Sequence, residues 1–169
     1  MRKWTVILTG VAMLALVNWT VSQREDLLAT GTPVRLELAP VDPRSLMQGD
    51  YMALRFQLAS QVLKPAPEKE GEAKDGHLVV KPDAQDIARY VRHHADEPLA
   101  SDEFLLRYRV REGQVKFATN AWFFQEGHAK YYESARYGEF RVSPSGEMLL
   151  VAMLGKDRET LGPAEKTTP

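Results

Sequence analysis

The hydrophobic pattern divides the chain into one unbroken apolar stretch and a series of short runs in which apolar and polar residues alternate. No residue from Trp4 to Val21 is charged; Arg2 and Lys3 precede the stretch, and Arg24, Glu25 and Asp26 close it. A helix of that length spans about 27 Å, close to the hydrocarbon thickness of a bilayer. Trp4 and Trp19 stand at its two ends, where amphipathic rings favour the headgroup region. The pattern therefore predicts a transmembrane helix over residues 1–24. The leading cations place its N-terminus in the cytoplasm and the residues beyond the helix across the membrane. A cleaved signal peptide is the weaker alternative: Ala12 and Ala15 lie too deep for a cleavage site, and Thr20-Val21-Ser22 matches one poorly. Thr5, Thr9 and Ala12 share a helical face and Asn18 lies near the far end, a pattern that either marks helix packing or is simply tolerated in a single anchor.

Beyond residue 24 the period becomes two. In "PVRLELA", Val34, Leu36 and Leu38 alternate with Arg35 and Glu37, which predicts a half-buried strand. "YMALRFQLA" predicts another, with Met52, Leu54 and Phe56 on one face and Tyr51, Ala53 and Arg55 on the other. Between them, Asp42 can cap a short helical turn with Pro43 at its first position, and Gly49-Asp50 ends that turn. "HLVVKP" reads as a short strand, and "DAQDIARYVRHHADEPL" as strand and loop rather than helix. The region from Glu103 to Leu154 holds four β-rich runs separated by Arg-Glu-Gly, Gln-Glu-Gly-His and Pro-Ser-Gly, which read as hairpin connections with glycine available for positive φ. "YYESARYG" can open with one turn of helix. Residues 64–76 are charged and carry no large apolar side chain, so they are expected to form a mobile loop. Residues 161–169 are expected to be a disordered tail. The sum is a mainly β protein: an antiparallel barrel or sandwich of seven to nine strands over residues 25–160, preceded by one transmembrane helix.

Composition narrows the functional classes. The 169 residues carry a net charge of −1, which gives no electrostatic basis for nucleic-acid binding. The absence of cysteine removes disulfides, thiol catalysis, Cys-based zinc sites and a lipid-modified N-terminus.

"PVDPRSLMQGDYMALRF" resembles the signature of the GDYxxLxY family of bacterial membrane-anchored proteins. Gly49, Asp50, Tyr51 and Leu54 match the motif, and Phe56 stands where its final tyrosine would be. "FFQEGHAKYYESARYGEFRVSPSGEMLL" is similar to the family's C-terminal half, so the resemblance covers about residues 25–160. On that resemblance Asp42, Pro43, Arg44, Gly49, Asp50, Tyr51, Leu54, Phe56, Glu126, Gly127, Arg136, Tyr137, Gly138 and Arg141 form the motif set, with a structural or partner-binding role. The resemblance implies no catalytic residue and no cofactor. It implies a multi-spanning membrane protein as partner, and an accessory subunit in the bacterial inner membrane with its C-terminal domain in the periplasm. The residues alone support an architectural reading: Gly49 permits a turn, Asp50 accepts backbone N–H groups, Arg44 pairs with Asp42 or Asp50, and Tyr51, Leu54 and Phe56 pack.

Catalytic alternatives fit poorly. A serine–lysine peptidase needs a serine before Pro43, but "LELAPVD" has none, Ser45 lies on the wrong side and Lys116 is remote. His93 and His94, adjacent on a strand, point to opposite faces, so with His77 and His128 they predict no metal site. Glu126, Glu133 and Glu139 are ordinary hairpin carboxylates, and no glycine-rich phosphate loop is present. A hydrolase and a free-standing structural envelope protein are the alternatives to an accessory subunit. The aromatic group Trp122, Phe123, Phe124, Tyr131, Tyr132 and Tyr137 is expected to be core, or in part a surface docking patch.

Overall fold

The computed structural model describes residues 2–39, 47–48, 50–62 and 75–163. Asp42, Pro43, Arg44 and Gly49, residues 64–74 of the charged segment and 164–169 of the tail lie outside the described residues. In chain order the elements are α1 (Arg2–Thr30), β1 (Thr32–Glu37), β2 (Met47–Gln48), β3 (Tyr51–Ala53), α2 (Ala59–Val62), β4 (Gly76–Pro82) and β5 (Ala88–His93). Then come β6 (Phe104–Arg111), β7 (Gln114–Lys116), β8 (Ala121–Phe123), a 3₁₀ turn (Ala129–Tyr131), β9 (Tyr137–Val142) and β10 (Met148–Leu154).

α1 contains a span of 25 residues, Val6–Thr30, long and apolar enough to cross a membrane. The helix continues past residue 24, because nothing in "REDLLAT" breaks it; it stops at Gly31, whose N–H donates to the Leu27 carbonyl at 2.9 Å. A side chain at Gly31 would collide with that carbonyl and with Cβ of Arg141, so the strand after the helix leaves close against β9. Leu27 is the one described residue of α1 that is buried, where the helix end meets β9 and β10.

Every strand pair in the three sheets is antiparallel, and the sheet orders are β1-β9-β10, β2-β3-β8 and β5-β4-β6-β7. The sheets meet through single bridges, a parallel one between Arg35 and Ile87 and an antiparallel one between Leu38 and Phe56. Alternation sets what each strand buries. Val34 and Leu36 face inward from β1, Met52, Leu54 and Phe56 from β3 and its continuation, and Leu78, Val80, Leu106, Phe140 and Met153 from β4, β6, β9 and β10, all in one core. Among the described residues the arrangement is sandwich-like and closes no barrel. The described residues form ten strands rather than seven to nine, since β2 and β7 are two and three residues long, too short to show a period.

The segment from Gly76 to His93 forms β4 and β5 as strand and loop, as its composition suggests. Glu112 and Gly113 join β6 to β7 with φ of 55° and 71°, the two-residue hairpin geometry that Arg-Glu-Gly allows. Residues 143–147 close the β9–β10 hairpin. Gln-Glu-Gly-His differs from its expected role: Gly127 turns with φ 77°, but β8 pairs with β3 while β9 pairs with β1 and β10. The chain crosses between sheets there, through the 3₁₀ turn that drops Tyr132 and Ala135 into the core.

Candidate functional site

The motif corner begins where Asp50, exposed in a turn, leads into β3. Its carbonyl accepts the Phe124 N–H at 3.0 Å, so the corner is fastened to the strand beyond β8 through the main chain. Tyr51 pairs in register with Phe123, and their rings lie 5.7 Å apart at a 41° tilt. Tyr51 is half-buried, whereas Phe123 is 74% exposed, so this aromatic pair opens onto solvent.

Three residues on, the motif turns inward. Leu54 is 1% exposed and donates its N–H to the Asn120 carbonyl at 2.7 Å. Phe56, 3% exposed, lies edge-on to Phe117 (5.9 Å) and to Phe140 (5.5 Å). A side chain at Gly138 would come within 3.4 Å of the Phe56 ring, 3.2 Å of Phe140 and 3.1 Å of Leu150. The last position of the first motif segment thus rests on a glycine of the second, and a bare Cα at 138 makes the space for it.

Of the fourteen residues singled out in the sequence, the ten among the described residues separate. Asp50, Tyr51, Leu54 and Phe56 make the corner. Tyr137, Gly138 and Arg141 belong to β9, with Arg136 just before it; the Arg136 N–H donates to the Leu154 carbonyl and its carbonyl accepts from Leu38 N–H, both at 2.8 Å. Arg141 donates to the Gly31 carbonyl at 3.4 Å, tying β9 to the end of α1. Phe56 and Gly138 bring the two groups together. Glu126 and Gly127 stand apart from both in the exposed turn after β8.

The aromatic group is divided as well. Tyr132 is buried, with Phe124 stacked on it at 5.3 Å and Trp122 edge-on at 5.9 Å. Phe123, the next position of the alternation, is the exposed member. Trp122 Nε1 and Asn120 Oδ1 are buried on this side without a hydrogen-bond partner among the described residues. His93 packs against Tyr90 and Tyr108, while His94 lies against His77, as neighbours on opposite strand faces must.

In the four-stranded sheet and the segments flanking it, ion pairs hold carboxylates charged. Hydrogen bonding from Arg92 lowers the Glu103 carboxyl, and hydrogen bonding from Arg111 lowers Asp75. Among the described residues no group of three His, Asp or Glu side chains converges to hold a metal ion.

Gly31, Leu27 and the exposed position of Phe123 escaped the sequence reading. Gly31 had a legible signal, a lone glycine directly after a helix-compatible charged run. Phe123 had none, because "WFF" does not say which ring turns outward.

The model of a family described as "GDYXXLXY protein" matches residues 13–153 of the chain. No curated protein and no solved structure matches it.

Proposed function

The chain belongs to the GDYXXLXY family, and on that premise we propose that it is a non-catalytic, membrane-anchored envelope protein, an accessory subunit that binds a multi-spanning membrane protein. One observation carries this reading: the apolar window of α1 is covered nowhere by the chain's own domain. Exposing that much apolar surface to water is unfavourable, and a bilayer is the environment that accepts a helix of this length. Arg2 and Lys3 favour a cytoplasmic N-terminus and a periplasmic β domain at the inner membrane.

The corner supports binding over catalysis. Its buried members, Leu54 and Phe56, are apolar, and the pair that reaches solvent, Tyr51 and Phe123, is aromatic. Aromatic side chains are enriched where proteins dock. Affinity purification of the full chain in mild detergent tests the reading. A multi-spanning protein should co-elute, and a Phe123→Ser chain should retain less of it. Recovery of the chain alone, under conditions that keep other membrane complexes intact, would overturn the subunit assignment. A C-terminal alkaline phosphatase fusion should be active; an inactive one reverses the topology.

A further inference from the structure

α1 is unbroken from Arg2 to Thr30, so the height of every helical residue is fixed relative to the domain it enters. A hydrocarbon core of about 30 Å takes about 20 helical residues, and each headgroup layer adds roughly 5–7 Å. Counted from Trp4, the core ends near Gln23, and the headgroup layer continues through Arg24, Glu25 and Asp26 to about Leu27. The domain does not wait for the helix to clear that layer. The tip of the β9–β10 hairpin runs back beside the helix, and Ser143, Ser145 and Glu147 face Thr20, Gln23, Arg24 and Leu27 across a cleft of about 460 Å³.

The tip is a braced projection. Ser143 N–H donates to the Glu147 carbonyl and Gly146 N–H to the Ser143 carbonyl, both at 2.9 Å. The Ser143 hydroxyl accepts the Glu147 N–H at 3.0 Å and lies 2.8 Å from the Ser145 hydroxyl. From β6, Arg107 donates its N–H to the Gly146 carbonyl at 2.9 Å and pairs through its guanidinium with Glu147. Gly146 has φ 84°, and a side chain there would press on His77 and Leu105 at 3.1 Å. The tip residues are small or polar and form hydrogen bonds, which suits a wet, polar layer rather than hydrocarbon. Beside the tip an apolar recess of about 300 Å³ includes Leu99, Phe104, Leu105 and Pro144, with Leu99 37% exposed.

We propose that the hairpin tip, Ser143 to Glu147, is seated in the phospholipid headgroup layer, so that this rim of the domain is a fixed membrane-contact surface. The proposal rests on α1 spanning a bilayer. The occupant follows from the height of the tip: it stands beside Gln23, Arg24 and Leu27, where the hydrocarbon core gives way to the headgroup layer, with Thr20 just inside that boundary, so headgroups are what meets its polar residues.

Because the chain has no cysteine, single labels can be placed on it directly. The full chain would be reconstituted into phosphatidylethanolamine–phosphatidylglycerol vesicles with a fluorophore at Val11→Cys, Ser145→Cys or Lys156→Cys. Lys156 is exposed and lies just past the far end of β10, roughly 20 Å along the hairpin from the tip. A nitroxide carried on the acyl chain should quench Val11→Cys. A nitroxide carried on the headgroup should quench Ser145→Cys several-fold more than Lys156→Cys. Quenching at Val11 with Ser145 no more quenched than Lys156 overturns the membrane-contact surface and leaves the anchor intact. No quenching at Val11 overturns the spanning helix, and the contact surface with it.

Discussion

β9 and β3 both lie in the matched part of the chain, yet they are held by different means. β9 pairs on both sides along its length, in register with β1 from Thr32 to Glu37 and, across a register shift between Leu150 and Ala152, with β10 from Met148 to Leu154. β3 is three residues long, between the two-residue β2 and the three-residue β8. What β3 lacks in ladder it supplies through side chains, since Met52, Leu54 and Phe56 continue its alternation into the common core. The most recognisable stretch of the sequence is thus not the best-paired one. Its tail is core, and its head, with Asp50 exposed and Tyr51 half-buried, borders solvent, so the two ends of one short motif answer to different demands.

Phe140 of β9 is 0% exposed and touches the motif through Phe56. Phe140→Ala should cost about 3–5 kcal/mol, the largest effect expected here, read by urea unfolding of the detergent-solubilised full chain. A cost below about 1 kcal/mol would mean that Phe140 of β9 is not an anchor of the common core. Gly138→Val forces a side chain between Phe56, Phe140 and Leu150. Overpacking of this kind should cost about 1–3 kcal/mol. Truncating Phe56 to leucine in the same chain should recover part of the loss if Phe56 is the obstacle; independent, additive costs would separate the two regions.

Acid sensitivity probes the fold from outside both regions. Glu103 is lowered below its ordinary value by hydrogen bonding from Arg92, with the Ala100 N–H adding to the effect. A depressed carboxylate contributes stability that is fully present above its unfolded pKa and is lost as pH falls through the folded one. Unfolding midpoints should therefore fall as pH drops below about 4, and Glu103→Gln should make that fall shallower. An equally steep fall in the variant would exclude this pair as a source.

The smallest stability changes are expected at the head of the motif. Asp50→Ala keeps the carbonyl that receives the Phe124 N–H, and Phe123→Ser alters an exposed ring. Both should stay within about 0.5 kcal/mol of the parent in unfolding while reducing partner recovery. A large loss of stability from Asp50→Ala would make its carboxylate structural and sharpen the contrast the other way.

Much of this was legible from period and punctuation. The charge-free run from Trp4 marks the helix, and the alternation of Val34 with Leu36, or of Met52 with Leu54 and Phe56, tells which face is buried before any pairing is known. Glu112-Gly113 was readable as a hairpin because its positive φ values are a local property. Gln125 to His128 has similar chemistry but closes no hairpin, because a glycine turn fixes a change of direction and not the pairing of the next strand. The separation of Leu54 and Phe56 from Tyr51 follows from the same alternation; the order of residues does not tell that Phe56 meets Gly138.

What the chain determines by itself are properties carried by neighbours in sequence: a helix too apolar for water, strands with one inward face, and turns where glycine stands. The tertiary structure alone decided that β8 joins β3 rather than β9, that Phe56 rests on Gly138, and that Phe123 is the ring facing out. It also set the hairpin tip beside Thr20 to Leu27. These are relations between residues far apart along the chain, and what selects among them is the burial of all the inward faces in one core at once, which no local pattern encodes.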